Sequence, residues 1–373
     1  MRTTGSYTTL GSTHYFIPFA LPPHDPPLHL NNTIIELYGE VMLYLGRLNE
    51  IAYKIPNKEQ FIKAYIIKEA IFSSAIEGIH TTVLDIYTQP LLDTKVNKNT
   101  QLVLNYMKAV EHALFLLHSE GLPLSSRVLL STHTILLSSG EGEKANPGNY
   151  RKQTVRVGNL IPAPPEEIPS LMSQLEQYIH YDTSLEIIKS GLAHVYFETV
   201  HPFLDGNGRI GRLLIVLMLI QSKMLSEPIL YPSYYFKKHQ LEYYQKLDEV
   251  RTKGDYEGWI IFYLKALKES MIDAYRRIND IDTLRNTYIE RINNHRFSAK
   301  ANILRLKSLT LLFGSPIISI PLLAEELAVS YNTANQIIKD FIAMDILEEN
   351  RTSKRNKLFT CQQYLNALEH EYE

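Results

Sequence analysis

The chain has 373 residues, with 38 Lys or Arg against 40 Asp or Glu and a formal net charge of −2. That length suits one large domain plus a small one, and the near-even charge with ordinary apolar content argues against a polyanion-binding or disordered protein. A single cysteine, Cys361, excludes an intramolecular disulfide and a Cys-based metal site and fits a reducing, cytoplasmic setting. The longest apolar run, 213–220, is too short to span a bilayer and the first residues lack the apolar core of a signal peptide, so no membrane association is expected.

Residues 1–30 form a polar, then proline-rich arm, with Pro22, Pro23, Pro26 and Pro27 arguing against helix. Tyr15, Phe16 and Phe19 suggest an arm laid on the globule, and a disordered tail is the alternative. From Asn31 the pattern turns helical: Ile34, Leu37, Val41, Leu45 and Leu48 recur every three or four residues. A second helix is expected over residues 58–77, ended by Gly78 where a helix C′ glycine would stand. Its last turn places Ser73 and Glu77 on one face. Read alone, that turn is a solvated helix end, although its carboxylate has the geometry to pair with a guanidinium elsewhere.

Residues 101–120 and 126–137 read as amphipathic helices, and a Gly- and Ser-rich loop at 138–150 separates them from the next segment. Residues 153–161 carry β-branched positions around Gly158-Asn159 and read as a short hairpin that Pro162, Pro164 and Pro165 end. Two more helices, 167–181 and 184–199, lead to His201, with His194 on the same face and read as a core histidine.

Residues 201–212 read His-Pro-Phe-Leu-Asp-Gly-Asn-Gly-Arg-Ile-Gly-Arg and run into an entirely apolar segment. The simplest reading is a loop feeding the N-terminus of a buried helix, which makes an anion site. Unsatisfied N–H groups and the positive dipole end attract negative charge. Gly206 and Gly208 let the backbone turn and approach a ligand, and with the Asn207 side chain they can cup a phosphate. Arg209 and Arg212, three apart on one helix face, can grip outer phosphates. Asp205 is placed to hold Mg²⁺ against them, and His201 has the one side chain here that titrates near neutrality, as a general base needs. A plain helix N-cap with surface arginines is the alternative.

This stretch resembles the Fic family motif, His-x-Phe-x-(Asp/Glu)-Gly-Asn-Gly-Arg-x-x-Arg, without departure. The resemblance implies an adenylyltransferase that moves AMP from ATP to a Ser, Thr or Tyr hydroxyl of a target protein, and of itself, releasing pyrophosphate. His201 would be the base and Asp205 the Mg²⁺ ligand. Gly206, Asn207 and Gly208 would hold the inner phosphates, Arg209 and Arg212 the outer ones, with Ile210 and Gly211 in the same segment, while Phe203 anchors the loop. Ser73, Glu77 and Gly78 match the family's inhibitory pattern (Ser/Thr)-x-x-x-Glu-(Gly/Asn), which implies that Glu77 pairs with Arg212 and blocks the γ-phosphate clamp. The hairpin becomes a flap on which an extended target segment docks, with Gly158, Asn159, Leu160 and Ile161 bordering the nucleotide. Tyr243 and Tyr244 would line the adenine and ribose pocket, and Arg251 would touch the nucleotide.

Beyond an aromatic stretch at 230–244 and an apolar helix opened by Trp259, a long charged helix over about 268–298 leads away from this domain. Helices at 320–327 and 333–344, and strands at 346–348 and 357–360 around the basic loop 351–356, read as a winged helix. Residues 286–373 hold ten Lys or Arg and ten Asp or Glu, a net of zero. Because phosphate contacts dominate nucleic-acid affinity, that balance favours protein interaction or support of a homodimer over DNA. The expectation is thus a mainly α protein. It has an arm (1–30), N-terminal helices (31–110), a Fic-type helical core with a small β-hairpin flap (111–285), and a linker helix with a C-terminal winged-helix domain (286–373). Two rival functions stand beside AMP transfer: removal of AMP from a modified protein, and a nucleotide-sensing DNA-binding regulator.

Overall fold

The computed structural model describes residues 2–54, 58–91, 96–139, 144–349 and 357–369. Within them the chain is mainly helical. The expected long amphipathic segment is α1 (Asn32–Lys54), whose Ile34, Val41, Leu45 and Leu48 are buried and whose main neighbour is α11 (Tyr256–Asn294). α11 unites the apolar helix opened by Trp259 with the charged helix after it, so the expected boundary at 285 falls inside one continuous helix. Trp259 is fully buried and its indole N–H donates to the Gly191 carbonyl at 2.8 Å.

Around this spine pack α2 (Lys58–Ile76), α3 (Val83–Thr88), α4 (Lys98–His118), α5 (Ser126–Leu136), α6 (Ile168–Tyr181), α7 (Glu186–Val200), α8 (Asn207–Gln221), α9 (Ser233–Lys238) and α10 (Gln240–Lys253). α8 is apolar on every side from Leu213 to Ile220, and every one of those residues is buried. A helix apolar all round belongs at the centre of a core. α7, α4, α2 and α5 enclose it.

The N-terminal arm is not irregular. β1 (Gly5–Leu10) and β2 (Thr13–Pro18) form an antiparallel hairpin with Gly5 opposite Pro18 and Leu10 opposite Thr13. The sequence signal was a run of Thr, Tyr, Phe and Ile about Gly11-Ser12, outweighed by the nearby prolines at 22–27. The hairpin lies on the globule: Tyr15 and Phe16 are buried, and Arg2 makes a two-pronged ion pair with Glu257. The chain thus takes the first of the two readings open for this arm.

The C-terminal unit consists of α12 (Ala299–Gly314), β3 (Ile317–Ser319), α13 (Ile320–Glu326), α14 (Tyr331–Ala343), β4 (Glu348–Glu349), β5 (Leu358–Thr360) and α15 (Gln362–Glu369). The sheet is antiparallel in the order β3-β5-β4. β3, three residues long, is too short for a periodicity reading to separate from the adjoining helix. The basic loop 351–356 lies outside the described residues. This unit is fastened to the rest through its last helix: the buried Lys68 ammonium of α2 donates to the Leu368 carbonyl at 2.7 Å, and Arg277 of α11 donates to the same carbonyl at 3.0 Å.

Candidate active site

α7 ends at His201, whose backbone is left-handed (φ 49°, ψ 63°). The loop to α8 turns at Gly206, also left-handed at φ 80°, a conformation that costs glycine little. Phe203 is fully buried and stacks on His133 of α5 at a centroid distance of 3.8 Å. The His133 ring is fixed at both ends. Its Nδ1 accepts from the Gly148 N–H at 2.9 Å, which leaves Nε2–H to donate to the Asp205 carbonyl at 2.9 Å. Burial lowers its pKa to about 4, so the ring is neutral as that pattern requires. Arg151 holds the other side of the loop. Almost wholly buried, its guanidinium donates to the carbonyls of His201 (2.8 Å), Gln153 (3.0 Å) and Ala163 (2.6 Å).

Asn207 corrects one expectation. Its side chain does not cup a ligand: Oδ1 accepts from the Phe203 N–H at 2.8 Å and Nδ2 donates to the Phe203 carbonyl at 2.9 Å. An amide occupied at both ends closes the loop, and only the backbone N–H groups at the start of α8 remain for an anion. Ile210 is a core residue, and the Gly211 carbonyl accepts from His194 Nδ1 at 2.7 Å.

Arg209 is buried. One terminal nitrogen reaches Asp205 at 3.1 Å, while Nε and Nη1 have no acceptor. Two buried guanidinium nitrogens without partners are costly unless an anion meets them. The Asp205 carboxylate is half exposed and also accepts from the Gly206 N–H at 2.6 Å. No cluster of three metal-ligating side chains exists among the described residues. The donor set fits an ion held by one carboxylate plus oxygens of a bound phosphate, the usual manner for Mg²⁺.

Arg212 is buried and held from the end of α2. Nε donates to Ser73 Oγ (2.9 Å), and Nη2 donates to the Ser73 carbonyl (2.8 Å) and to Glu77 Oε1 (2.8 Å). Burial opposes its charge, but Glu77, with Glu198 behind it, keeps its pKa above the ordinary arginine value. Gly78, at φ 78°, ends the helix so that Glu77 reaches across. Gly208 makes that approach possible: a Cβ there would collide with Glu77 Oε1 and lie 2.8 Å from Arg212 Nη1.

Glu77, His201, Gly208 and Arg212 line a cleft of about 610 Å³ together with Val157, Gly158, Asn159, Leu160, Tyr243, Tyr244, Leu247 and Arg251. Burial lowers the His201 pKa to about 4, and its Nδ1 is enclosed beside the Glu198 backbone, which leaves Nε2 as the nitrogen to meet a substrate. Tyr243 forms the floor. It stacks on Phe236 at 4.6 Å and its hydroxyl bonds His194 Nε2 at 2.8 Å. Burial lowers the His194 pKa to about 3, so this neutral ring is a strut and not a base. Tyr244 is on the rim, its hydroxyl 3.4 Å from the Ile76 carbonyl. Arg251 is tied to Asp248.

The flap is smaller than expected. Val157 and Leu160 exchange two backbone hydrogen bonds of 2.9 Å around Gly158-Asn159, and no strand extends beyond that bridge. Ile161 is not in the cleft wall; its carbonyl accepts from the Phe16 N–H at 2.9 Å, so β2 already occupies that stretch of edge. Sequence reasoning also passed over His133, Arg151 and Glu198. His133 left a faint signal, a histidine on the face of α5 that buries Val128, Leu129, Thr132 and Leu136. Arg151 and Glu198 left none, since an arginine in a loop and a glutamate on a helix are ordinarily solvated.

The description "Fic/DOC family" matches residues 123–219 and "Fic/DOC family N-terminal" matches residues 35–115. Protein adenylyltransferase Fic of Drosophila willistoni is 28% identical over 159 residues, which are 42% of this chain and 30% of that protein. The protein of the same name from Drosophila erecta is 29% identical over 139 residues, 36% of this chain and 26% of its own length. The chain therefore spans about three tenths of the length of the curated relatives it matches. Among solved structures, a Fic family protein from Desulfovibrio desulfuricans G20 superposes with a TM-score of 0.57 at 21% identity, covering 90% of this chain and 98% of that one. Fic-1 (residues 134–508) from C. elegans gives 0.52 at 20% identity, covering 66% and 73%.

Proposed function

With a Fic domain at residues 123–219 and that family's N-terminal region before it, this chain belongs to the Fic/DOC family, and on that premise we propose that it transfers AMP from ATP to a hydroxyl of a target protein. The observation that carries the proposal is the convergence in one cleft of His201, Gly208 and Arg212 at the N-terminus of a buried helix. The acceptor oxygen attacks the α-phosphorus, the bond to the β-phosphate oxygen breaks, diphosphate leaves, and the hydroxyl proton passes to His201 Nε2. Neutral His201 is ready to take it, and the charge of a bound triphosphate raises its basicity at that moment. The backbone N–H groups of Asn207 and Gly208 receive the inner phosphates, and the unpartnered nitrogens of Arg209 an outer one. Asp205 would hold Mg²⁺, which neutralises phosphate charge when bound.

Glu77 is the brake in this reading. A γ-phosphate must displace it to reach Arg212, so the triphosphate settles without its clamp. The same carboxylate is more than a third exposed and faces the cleft, which supports AMP removal, with Glu77 positioning water, as the second reading. The target docks as an extended segment on the free limb of the flap, since β2 takes the other. The C-terminal unit serves as a winged helix for protein contact, because residues 286–373 hold ten basic and ten acidic residues, a net of zero that offers phosphates no basic face.

The test uses ATP labelled on the α-phosphate, Mg²⁺ and a cell lysate. Label should appear with Glu77→Gly, be weak with wild type, and vanish when His201→Ala is added. Absence of label in every lane would end the proposal of AMP transfer.

A further inference from the structure

Glu198 stands one turn before His201 on α7 and lines the same cleft. Its Oε1 is buried without a hydrogen-bond partner. A carboxyl oxygen in that position is costly unless something supplies a donor. The space it occupies is reserved. A Cβ at Gly211 on α8 would lie 3.2 Å from the Glu198 carboxyl carbon and closer still to Oε1, so glycine at that motif position is what admits the carboxyl group.

The carboxyl group faces charged or titratable side chains from three directions: Arg212 on α8, Glu77 at the end of α2 and Tyr243 on α10. Burial, reinforced by Glu77 and opposed by Arg212, raises its pKa to about 7. The cleft it lines carries two kinds of surface. Gly208 and Arg212, which the proposed function gives to phosphate, and the apolar surfaces of Tyr244 and Leu247 line the same cleft. Phosphate oxygens only accept hydrogen bonds, and they repel the carboxylate that Glu198 becomes above its raised pKa. The segment of a nucleotide that joins phosphate to base carries hydroxyls, which donate.

We propose that Glu198 contacts the nucleotide by accepting a hydrogen bond from a sugar hydroxyl, and so selects ribonucleotides over deoxyribonucleotides. The proposal rests on the nucleotide cleft described above and names the sugar subsite within it. Rejection of an analogue that lacks the hydroxyl follows because the carboxyl group then stays unpaired in a desolvated place.

The experiment is calorimetric binding of ATP, 2′-deoxy-ATP and 3′-deoxy-ATP to the full chain, as wild type, Glu198→Gln and Glu198→Ala. Wild type should bind ATP about tenfold or more tighter than one of the two deoxy analogues. Glu198→Ala should erase that difference by weakening ATP alone, and Glu198→Gln, whose amide oxygen still accepts, should retain part of it. Equal weakening of all three ligands, or no change, overturns the sugar contact while leaving the nucleotide reading intact. If wild type binds none of the three, the nucleotide reading itself fails.

Discussion

Replacing Glu77 with glycine should raise the rate of AMP transfer and lower stability together. Glu77 gives Arg212 one charge-assisted hydrogen bond of 2.8 Å, while Ser73 supplies two more acceptors that stay. Hydrogen bonds to charged groups contribute about 1.5–3 kcal/mol. The Glu77 side chain is 37% exposed, so solvent screening sets the contact near the lower end, about 1.5–2 kcal/mol. A triphosphate no longer displacing that contact should react with kcat/KM about 10- to 30-fold higher. The opposite change falls on the fold, because a buried guanidinium loses its countercharge but keeps both Ser73 acceptors, a loss of about 1–2 kcal/mol. Glu77→Gln, with the hydrogen bond but not the charge, should fall between. Initial rates of α-labelled transfer and urea denaturation of the same preparations measure both. If Glu77→Gly remains folded and transfers label no faster than wild type, the Glu77–Arg212 contact is not what restrains the site.

Stability should fall on acidification from pH 6.5 to 5, by about 1.4 kcal/mol over the window, most of it towards pH 5. In that window the unfolded chain protonates His133, His194 and His201, which burial holds at about 4, 3 and 4, and this favours the folded state at higher pH. Burial raises Glu69 and Glu198 to about 7, so only the folded state protonates them there, which favours lower pH. The difference is one proton, and Glu198→Gln should steepen the slope to about two protons; a flat profile for both proteins refutes the assignment. Arg151→Ala should cost about 3–5 kcal/mol in denaturant, since four carbonyls lose a donor, with Arg151→Lys recovering less than half; a loss under about 1 kcal/mol would show the clamp to be idle. Lys68→Met should leave the Leu368 carbonyl to Arg277 alone, cost about 1–2 kcal/mol and speed amide exchange in residues 362–369, and unchanged exchange would count against the fastening.

Residues 201–212 announce their site because local chemistry suffices there. A glycine-rich turn before an all-apolar helix is an anion-binding helix end wherever the chain places it, and Ser73, Glu77 and Gly78 carry enough of a pattern to be paired with Arg212 at a distance in sequence. The helices were legible for the same reason, since burial of one face leaves its period in the chain. What only the folded structure decided are roles set by the neighbours a side chain meets, within its own loop or from other segments. Asn207 looks like a ligand-facing amide until Phe203 takes both of its ends. Ile161 looks like a cleft residue until Phe16, some 145 residues earlier, takes its carbonyl. Arg151 and Glu198 carry no mark in sequence, and His133 only a faint one, because a buried polar group is defined by its partners, or by lacking them, and those arrive only when the chain closes on itself.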